Sequence, residues 1–351
     1  MFFASDNWAG AHPLIAQSLV SYAGGYASAY GTSDLDRRVE ETFNRVFERE
    51  VAVFFVATGT AANSLALAAT SRPGGICFAH AEAHMLEDEC GAPEFLSSGG
   101  RLRPVQGSHG KIDAQELSRE MARFPAGNVH SGQPMAVSVT QSTETGSIYS
   151  LSEIEAIAQI ARSRAVPLHM DGARFANALV ALDCSPAEMT WKRGVDLLSF
   201  GGTKNGCWCA EALVFFDPEK AREFGFMRKR AAQLFSKTRF VAAQFESYFA
   251  DDLWLENAKT ANRMAKHLAT ALHGSNSARL AWKPQANEVF AVMSTAKAQA
   301  LQAAGARFYD WKEPDQWDGS LSAGEGLFRF VTSYATQEDD VTRFAEALQR
   351  A

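Results

Sequence analysis

Two stretches decide how this chain folds: HMDGARF, from His169 to Phe175, and SFGGTKNG, from Ser199 to Gly206. The first closes the apolar run Val166–Met170 on a carboxylate, Asp171. The second closes a run ending in LLSF on a glycine-rich turn that carries Lys204. Short apolar runs bounded by turn residues read as buried strands. The runs Val51–Val56, Gly75–Ala79, Met135–Thr140, Val195–Phe200 and Ala212–Phe216 read the same way, with amphipathic segments between several of them. In Ser152–Arg164 and the residue before it, Leu151, Ile154, Ile157, Ala158 and Ala161 recur at helical spacing, and Ser152 is placed to cap the helix. This alternation predicts an α/β fold with a mostly parallel central sheet and helices on both faces.

From about Phe224 the texture changes. Helices are expected over Met227–Tyr248 and Trp254–Leu272, then a strand at Val289–Met293 and a helix at Ala296–Ala304. A loop rich in Gly, Ser and Trp near Trp317–Gly326 leads to a strand at Leu327–Thr332 and a last helix from Glu338. The expected division is a large domain over residues 1–245, including the N-terminal segment, and a smaller C-terminal α/β domain over 246–351.

A chain of 351 residues has room for about two domains. Its 46% hydrophobic and 21% charged content suits a soluble globular protein. The net charge of −6 supplies no broad basic surface for nucleic acid. No run reaches the ~18 apolar residues of a membrane helix. The start, MFFASDNWAG, lacks the basic region of a signal peptide, so the cytoplasm is the expected compartment and no membrane partner is expected. Five cysteines, an odd number, argue against a disulfide framework. Cys207-Trp-Cys209 has no second ligand pair at metal spacing, so no metal is expected.

In open α/β sheets, polar residues at strand carboxyl ends face the ligand crevice. A carboxylate at one such end and a lysine at the next suit pyridoxal phosphate (PLP). The lysine amine can form a Schiff base with the cofactor aldehyde, and the aspartate can hold the pyridine nitrogen protonated. Taken alone, Asp171 reads equally as the N-cap of a helix beginning near Arg174, and Lys204 as an exposed loop lysine. Thr58-Gly59-Thr60 follows a strand and opens a helix, which suits a phosphate or an ordinary strand–helix junction. His84 can stack on a ring or serve as a base, or simply cap a helix; Glu89 lies five residues on. Arg329, in the alternating run LFRFVTSY, needs an anion or faces solvent. The order phosphate turn, His, Asp, Lys, Arg is more telling than any member.

With these residues assembled, the sequence resembles the PLP-dependent L-threonine aldolases of the aspartate-aminotransferase fold (fold type I), most closely the low-specificity branch that includes phenylserine aldolase. FFASDNWAGAHP, YGTSD, TGTAAN, DECGAPEF, QSTETGSIYSL, LHMDGARFANAL, CSPAEMTWK, FGGTKNG and FRFVTSYAT carry the resemblance. It implies that Lys204 carries the cofactor, Asp171 pairs with its ring nitrogen, Gly59 and Thr60 bind its phosphate, and His84 stacks on the ring. It also implies that Ser5, Arg174 and Arg329 hold the substrate carboxylate and that Tyr30 lines the site. A homodimer or homotetramer with the site at the subunit interface is expected, with Lys237 and Arg239 as candidates to reach a neighbour's phosphate. Many relatives carry a histidine in an Asn-Thr-His-Asn stretch. Here the run is Gln141-Ser142-Thr143-Glu144, with Thr143 read in the histidine's place as a cofactor contact. His84 is then the leading base.

The implied reaction is retro-aldol cleavage of a β-hydroxy amino acid to glycine and an aldehyde. Transamination and β-elimination are the enzymatic alternatives, and a non-catalytic PLP-binding protein is the alternative of another class. Trp8, His12, Phe175 and Trp311 are candidates for an aromatic wall around the substrate side chain, or for ordinary core and interface positions.

Overall fold

The computed structural model describes residues 1–350. Seven strands form the large sheet: β1 (Ala52–Val56), β2 (Gly75–His80), β3 (Arg101–Val105), β4 (Gln133–Thr140), β5 (Leu168–Gly172), β6 (Leu197–Gly201) and β7 (Glu211–Phe215). Their order is β1-β7-β6-β5-β4-β2-β3. All neighbours are parallel except β7, which is antiparallel to both β1 and β6. Strands β2, β5, β6 and β7 are buried along their whole length, as expected where both faces of a sheet are covered. β3 escapes the reading from sequence. Arg101, Arg103 and Pro104 are unusual in a strand interior, but β3 is an edge, where such residues are tolerated.

The second sheet has four strands, β8 (Ala278–Leu280), β9 (Glu288–Ser294), β10 (Tyr309–Trp311) and β11 (Glu325–Val331), in the order β10-β11-β9-β8 and antiparallel throughout. The helix Leu253–His273 joins the two parts. Its Trp254 and Ala258 pack into the core of the large sheet, whereas Met264, Leu268 and Leu272 pack into the core of the small one. Residue 245 lies inside the preceding helix, Arg239–Phe249. No helix among the described residues is long and apolar enough to cross a membrane.

Two local expectations change. The helix after β4 runs Leu151–Ser163, and its cap is Ser150 rather than Ser152. Glu153 stands three residues beyond Ser150, so the two close a reciprocal capping box. The long helix expected over Met227–Tyr248 is two helices, Phe224–Arg230 and Arg239–Phe249. The break includes Ala232 at φ 59° and lets the Gln233 side chain accept a hydrogen bond from the Ala57 N–H at 3.0 Å. A tertiary bond at the end of β1 therefore overrides helix propensity.

The core beneath β6 is aromatic. The Phe43 ring lies 5.0–6.4 Å from the rings of Phe47, Phe55, Phe200, Phe245 and Phe249. Such a side chain contributes transfer energy and interlocking shape together. Phe43→Ala should lower stability by about 3–5 kcal/mol, seen as an earlier urea unfolding transition. An unshifted transition would contradict this packing account.

Candidate active site

The site is built at the carboxyl ends of the strands. β5 delivers Asp171, buried beside Thr140 of β4 and Ser199 of β6. One carboxylate oxygen accepts the Ala173 N–H at 3.0 Å, and the other accepts from Asn63 Nδ2 at 2.9 Å. Asp171 is thus no helix cap; Arg174 holds that position for the helix Phe175–Leu182. The adjacent His169 is structural. It is fully buried, with Nδ1 2.9 Å from Ser138 Oγ and Nε2 2.9 Å from Ser199 Oγ. Burial pushes its pKa down to about 4, so it is neutral at pH 7.

Asn63 lies on the helix Gly59–Ala69 that follows β1. The second hydrogen of its amide goes to Glu89 Oε1 at 2.9 Å, and the same oxygen lies 2.9 Å from His84 Nδ1. An ionised carboxylate only accepts, so Nδ1 carries the proton in this pair. Asp171, Asn63, Glu89 and His84 are therefore one chain of hydrogen bonds. Glu89, which reads from sequence as a solvated carboxylate, is buried. Its hydrogen bond raises the pKa of His84 above the ordinary value, against the opposing effect of burial. Thr58 caps the helix by accepting the Ala61 N–H at 3.1 Å. The first N–H groups of a helix have no partner within it, so those of Gly59 and Thr60 stay available to an anion.

Lys204 lies half-buried in one turn of 3-10 helix, Thr203–Asn205, after β6. The turn is clamped from several sides. Asn205 Nδ2 donates to Tyr248 Oη and to the Trp254 carbonyl at 2.8 Å, Asn257 Nδ2 donates to the Asn205 carbonyl at 2.9 Å, and the His12 N–H donates to Gly206 O at 2.8 Å. Gly206 has φ +109°, and a Cβ there would meet Asn257 Nδ2 at 2.7 Å, so both conformation and space require glycine. Lys204 itself makes no ion pair among the described residues, yet its charge acts on Asp6, His84 and Glu211. Glu211 opens β7 fully buried, and burial pushes its pKa up to about 7.

The N-terminal segment closes the site. Ser5 caps the turn Asp6–Trp8 by accepting the Asn7 N–H. Asp6, buried, takes Arg174 Nε at 2.8 Å and Nη2 at 3.2 Å, and Asn287 Nδ2 at 3.1 Å. Burial would raise the Asp6 pKa, but Arg174 and Lys204 outweigh it and hold the carboxyl below its ordinary value. Burial would likewise lower the Arg174 pKa, and Asp6 and Glu288 hold it above. Glu288 Oε2 lies 3.5 Å from Arg174 Nη1, and Glu288 Oε1 lies 3.8 Å from Arg329 Nη1. The Arg329 guanidinium sits 4.1 Å above the Trp311 ring, and its buried Nε has no partner.

His84, Asp171, Arg174, Lys204 and Arg329 are thus tied together by direct contacts or shared fields, and Ser5 joins them only as the neighbour of Asp6. Thr143 is not an open contact: its hydroxyl donates to the His109 carbonyl at 3.1 Å and accepts the Ser147 N–H at 3.1 Å, which holds a turn. The neighbouring Glu144 is the member of that run whose charge reaches His84, Arg174 and Glu288. Tyr30 is half exposed, with Lys229 Nζ 5.6 Å from its ring centre and its N–H donating to Ser236 O. Lys237 is exposed and Arg239 Nη1 lies 3.5 Å from the Gly25 carbonyl. Of the four aromatic-wall candidates, Phe175 is core, Trp8 is exposed and His12 caps a helix, which leaves Trp311 against Arg329. Asp6, Glu144, Glu211 and Glu288, whose charges act on these residues, are harder to single out in the sequence. An acid in a strand or turn looks like a solvated one until its partners are known, although Glu288 at the head of an apolar strand is a readable signal.

A carboxylate at one strand end, an unpaired lysine at the next, free N–H groups at a helix start and buried unpartnered polar atoms on Asn63 and Glu89 fit PLP. The fold and this donor set define a fold-type I PLP enzyme. The model of the beta-eliminating lyase family matches residues 3–296. The chain is 40% identical to the low-specificity L-threonine aldolase of Pseudomonas aeruginosa over 347 residues, covering 99% of this chain and 96% of the relative. It is 38% identical to the enzyme of the same name from Pseudomonas sp. (strain NCIMB 10558), covering 98% and 95%. The solved threonine aldolase of Leishmania major superposes with a TM-score of 0.91 at 26% identity, covering 99% of this chain and 98% of that one. The chain belongs to the beta-eliminating lyase family and, within it, to the low-specificity threonine aldolases.

The hydrogen bond that His84 donates to Glu89 is the first cause of its raised pKa. Glu89→Gln should therefore move the NMR titration of the His84 ring to lower pH. A titration that stays in place would show that Glu89 does not govern this histidine.

Proposed function

We propose that this enzyme cleaves L-β-hydroxy-α-amino acids of the threonine, allo-threonine and phenylserine type to glycine and an aldehyde. The observation that carries this reading is the buried chain Asp171–Asn63–Glu89–His84. It joins the carboxylate suited to a pyridinium nitrogen to a histidine equipped to take and hold a proton.

In this reading Lys204 holds the cofactor, Asp171 pairs with its ring nitrogen, the N–H groups of Gly59 and Thr60 meet its phosphate, and His84 covers its ring. When bound, PLP supplies an electron sink for the pair left on Cα. The chain's own groups do the rest. Arg329 takes the substrate α-carboxylate through a guanidinium edge left without a hydrogen-bond partner beside Trp311, and the Ser5 hydroxyl adds a donor. Arg174 already binds Asp6 with two of its nitrogens, so it anchors the Ser5–Asp6 segment behind that carboxylate. His84 Nε2 takes the proton of the β-hydroxyl as the Cα–Cβ bond breaks, and the aldehyde leaves. Glu89 stabilises the protonated ring, as does the field of Glu144. The Lys204 amine is placed to return a proton to Cα, which yields glycine.

We place the enzyme in the cytoplasm and as a homodimer or homotetramer in which Tyr30 lines the site and Lys237 or Arg239 reaches a neighbour's phosphate. Exposed apolar side chains, Leu14, Val20, Tyr26 and Trp208, support association.

The test is a product assay with L-threonine, L-allo-threonine and both L-phenylserine diastereomers, reading aldehyde through an alcohol dehydrogenase and glycine directly. Equal amounts of both products are expected, none with Lys204→Ala, and a loss of about 10²–10⁴-fold with His84→Ala. Cleavage by Lys204→Ala at the wild-type rate, or keto-acid formation without glycine, would contradict the reading.

A further inference from the structure

Glu288 has no part in the reaction above, yet it stands between the two arginines of the carboxylate site. It opens β9, fully buried, at 3.5 Å from Arg174 Nη1 and 3.8 Å from Arg329 Nη1, and neither of its oxygens has a hydrogen-bond partner. The turn Thr143–Ser147 seals it from above. Gly146, at φ +71°, comes so close that a Cβ there would lie 2.9 Å from Glu288 Cβ. The groups that face Glu288 come from every element around it: Arg174 from the loop after β5, Arg329 from β11, Glu144 from the sealing turn and Asp6 from the N-terminal segment.

Counting charges shows the difficulty. Asp6, Glu144 and Glu288 face Arg174 and Arg329, with Lys204 acting on Asp6, so an arriving substrate carboxylate makes four negative charges against three positive ones. Like charges brought into one buried site cannot all stay ionised. Asp6 is fixed by Arg174 and Asn287, and Glu144 is partly open to water. Glu288 is fully buried and neither of its oxygens has a hydrogen bond to hold its charge. We propose that Glu288 takes up a proton as the substrate α-carboxylate settles on Arg329, and so acts as a proton-linked positioning residue that releases Arg329 to the substrate. The inference rests on the carboxylate site proposed above.

Burial pushes the Glu288 pKa up to about 7, against the opposing pull of Arg174 and Arg329. A bound carboxylate adds negative charge and draws on Arg329, so it raises that value further. Between the free and bound values, binding consumes one proton. Affinity for a carboxylate should therefore fall by up to about tenfold per pH unit as pH rises above 7.

The probe is 3-hydroxybutyrate, a β-hydroxy carboxylate without the amine, so nothing exchanges at Lys204. It is titrated by calorimetry into the cofactor-loaded enzyme between about pH 6 and 9, in two buffers of different ionisation enthalpy. The wild type should take up about one proton per ligand near pH 8, with Kd rising above pH 7 as stated. Glu288→Gln should show no uptake and a flat Kd. Absence of uptake in the wild type, or the same uptake in Glu288→Gln, overturns the proposal. The wild-type proton count decides by itself should the variant fold poorly. Arg329→Gln separates the two levels. Binding abolished by Arg329→Gln without proton uptake in the wild type rejects only the role of Glu288. Binding that survives Arg329→Gln rejects the carboxylate site and the proposal with it.

Discussion

A carboxylate buried at the end of β5 must be given partners, and the elements around the large sheet are arranged to supply them. Ionised groups are costly to bury, by several kcal/mol each, unless hydrogen bonds replace water. Asp171 obtains one bond from the backbone at Ala173 and one from Asn63. Because Asn63 has a second hydrogen to give, it fixes Glu89 as well, and Glu89 fixes His84. The position of the histidine thus depends on that of the aspartate through groups that are themselves buried and hydrogen-bonded. This pre-organisation is what a site needs when a proton must move at a defined atom.

The same economy of partners joins the rest of the molecule. Arg174, one turn beyond Asp171, draws the N-terminal segment in through Asp6 and the small sheet in through Glu288. Asn287, next to Glu288, binds both Asp6 and the Thr332 carbonyl. Three chain segments distant in sequence therefore meet on one guanidinium, which ties the two sheets to each other. Lys204 is placed differently. Its turn is held by Asn205, Asn257 and His12 through backbone and side-chain bonds, while its own amine is left unpaired.

The positions of Asp171, Lys204, Gly59, Thr60 and Arg329 were legible in the sequence because each lies at a strand end or in a strand, and local pattern sets strands. The sheet followed for the same reason, except β3, whose arginines and proline hide an edge strand. Other features depend on encounters between distant segments. Glu144 reads as one more polar residue in a turn, and only the fold shows its charge beside His84. Thr143 looked available because nothing local reveals that the His109 carbonyl and the Ser147 N–H engage it. The helix broken before Arg239 has no proline or glycine to announce it; the cause is Gln233 reaching Ala57.

The central claim is that Lys204 is the residue that would hold the cofactor, with Asp171 as the partner of its ring nitrogen. Borohydride reduction of the PLP-loaded enzyme, followed by peptide mass spectrometry, tests it most directly. The account predicts a single pyridoxyl group, on the peptide that contains Lys204. A label on any other lysine would contradict it.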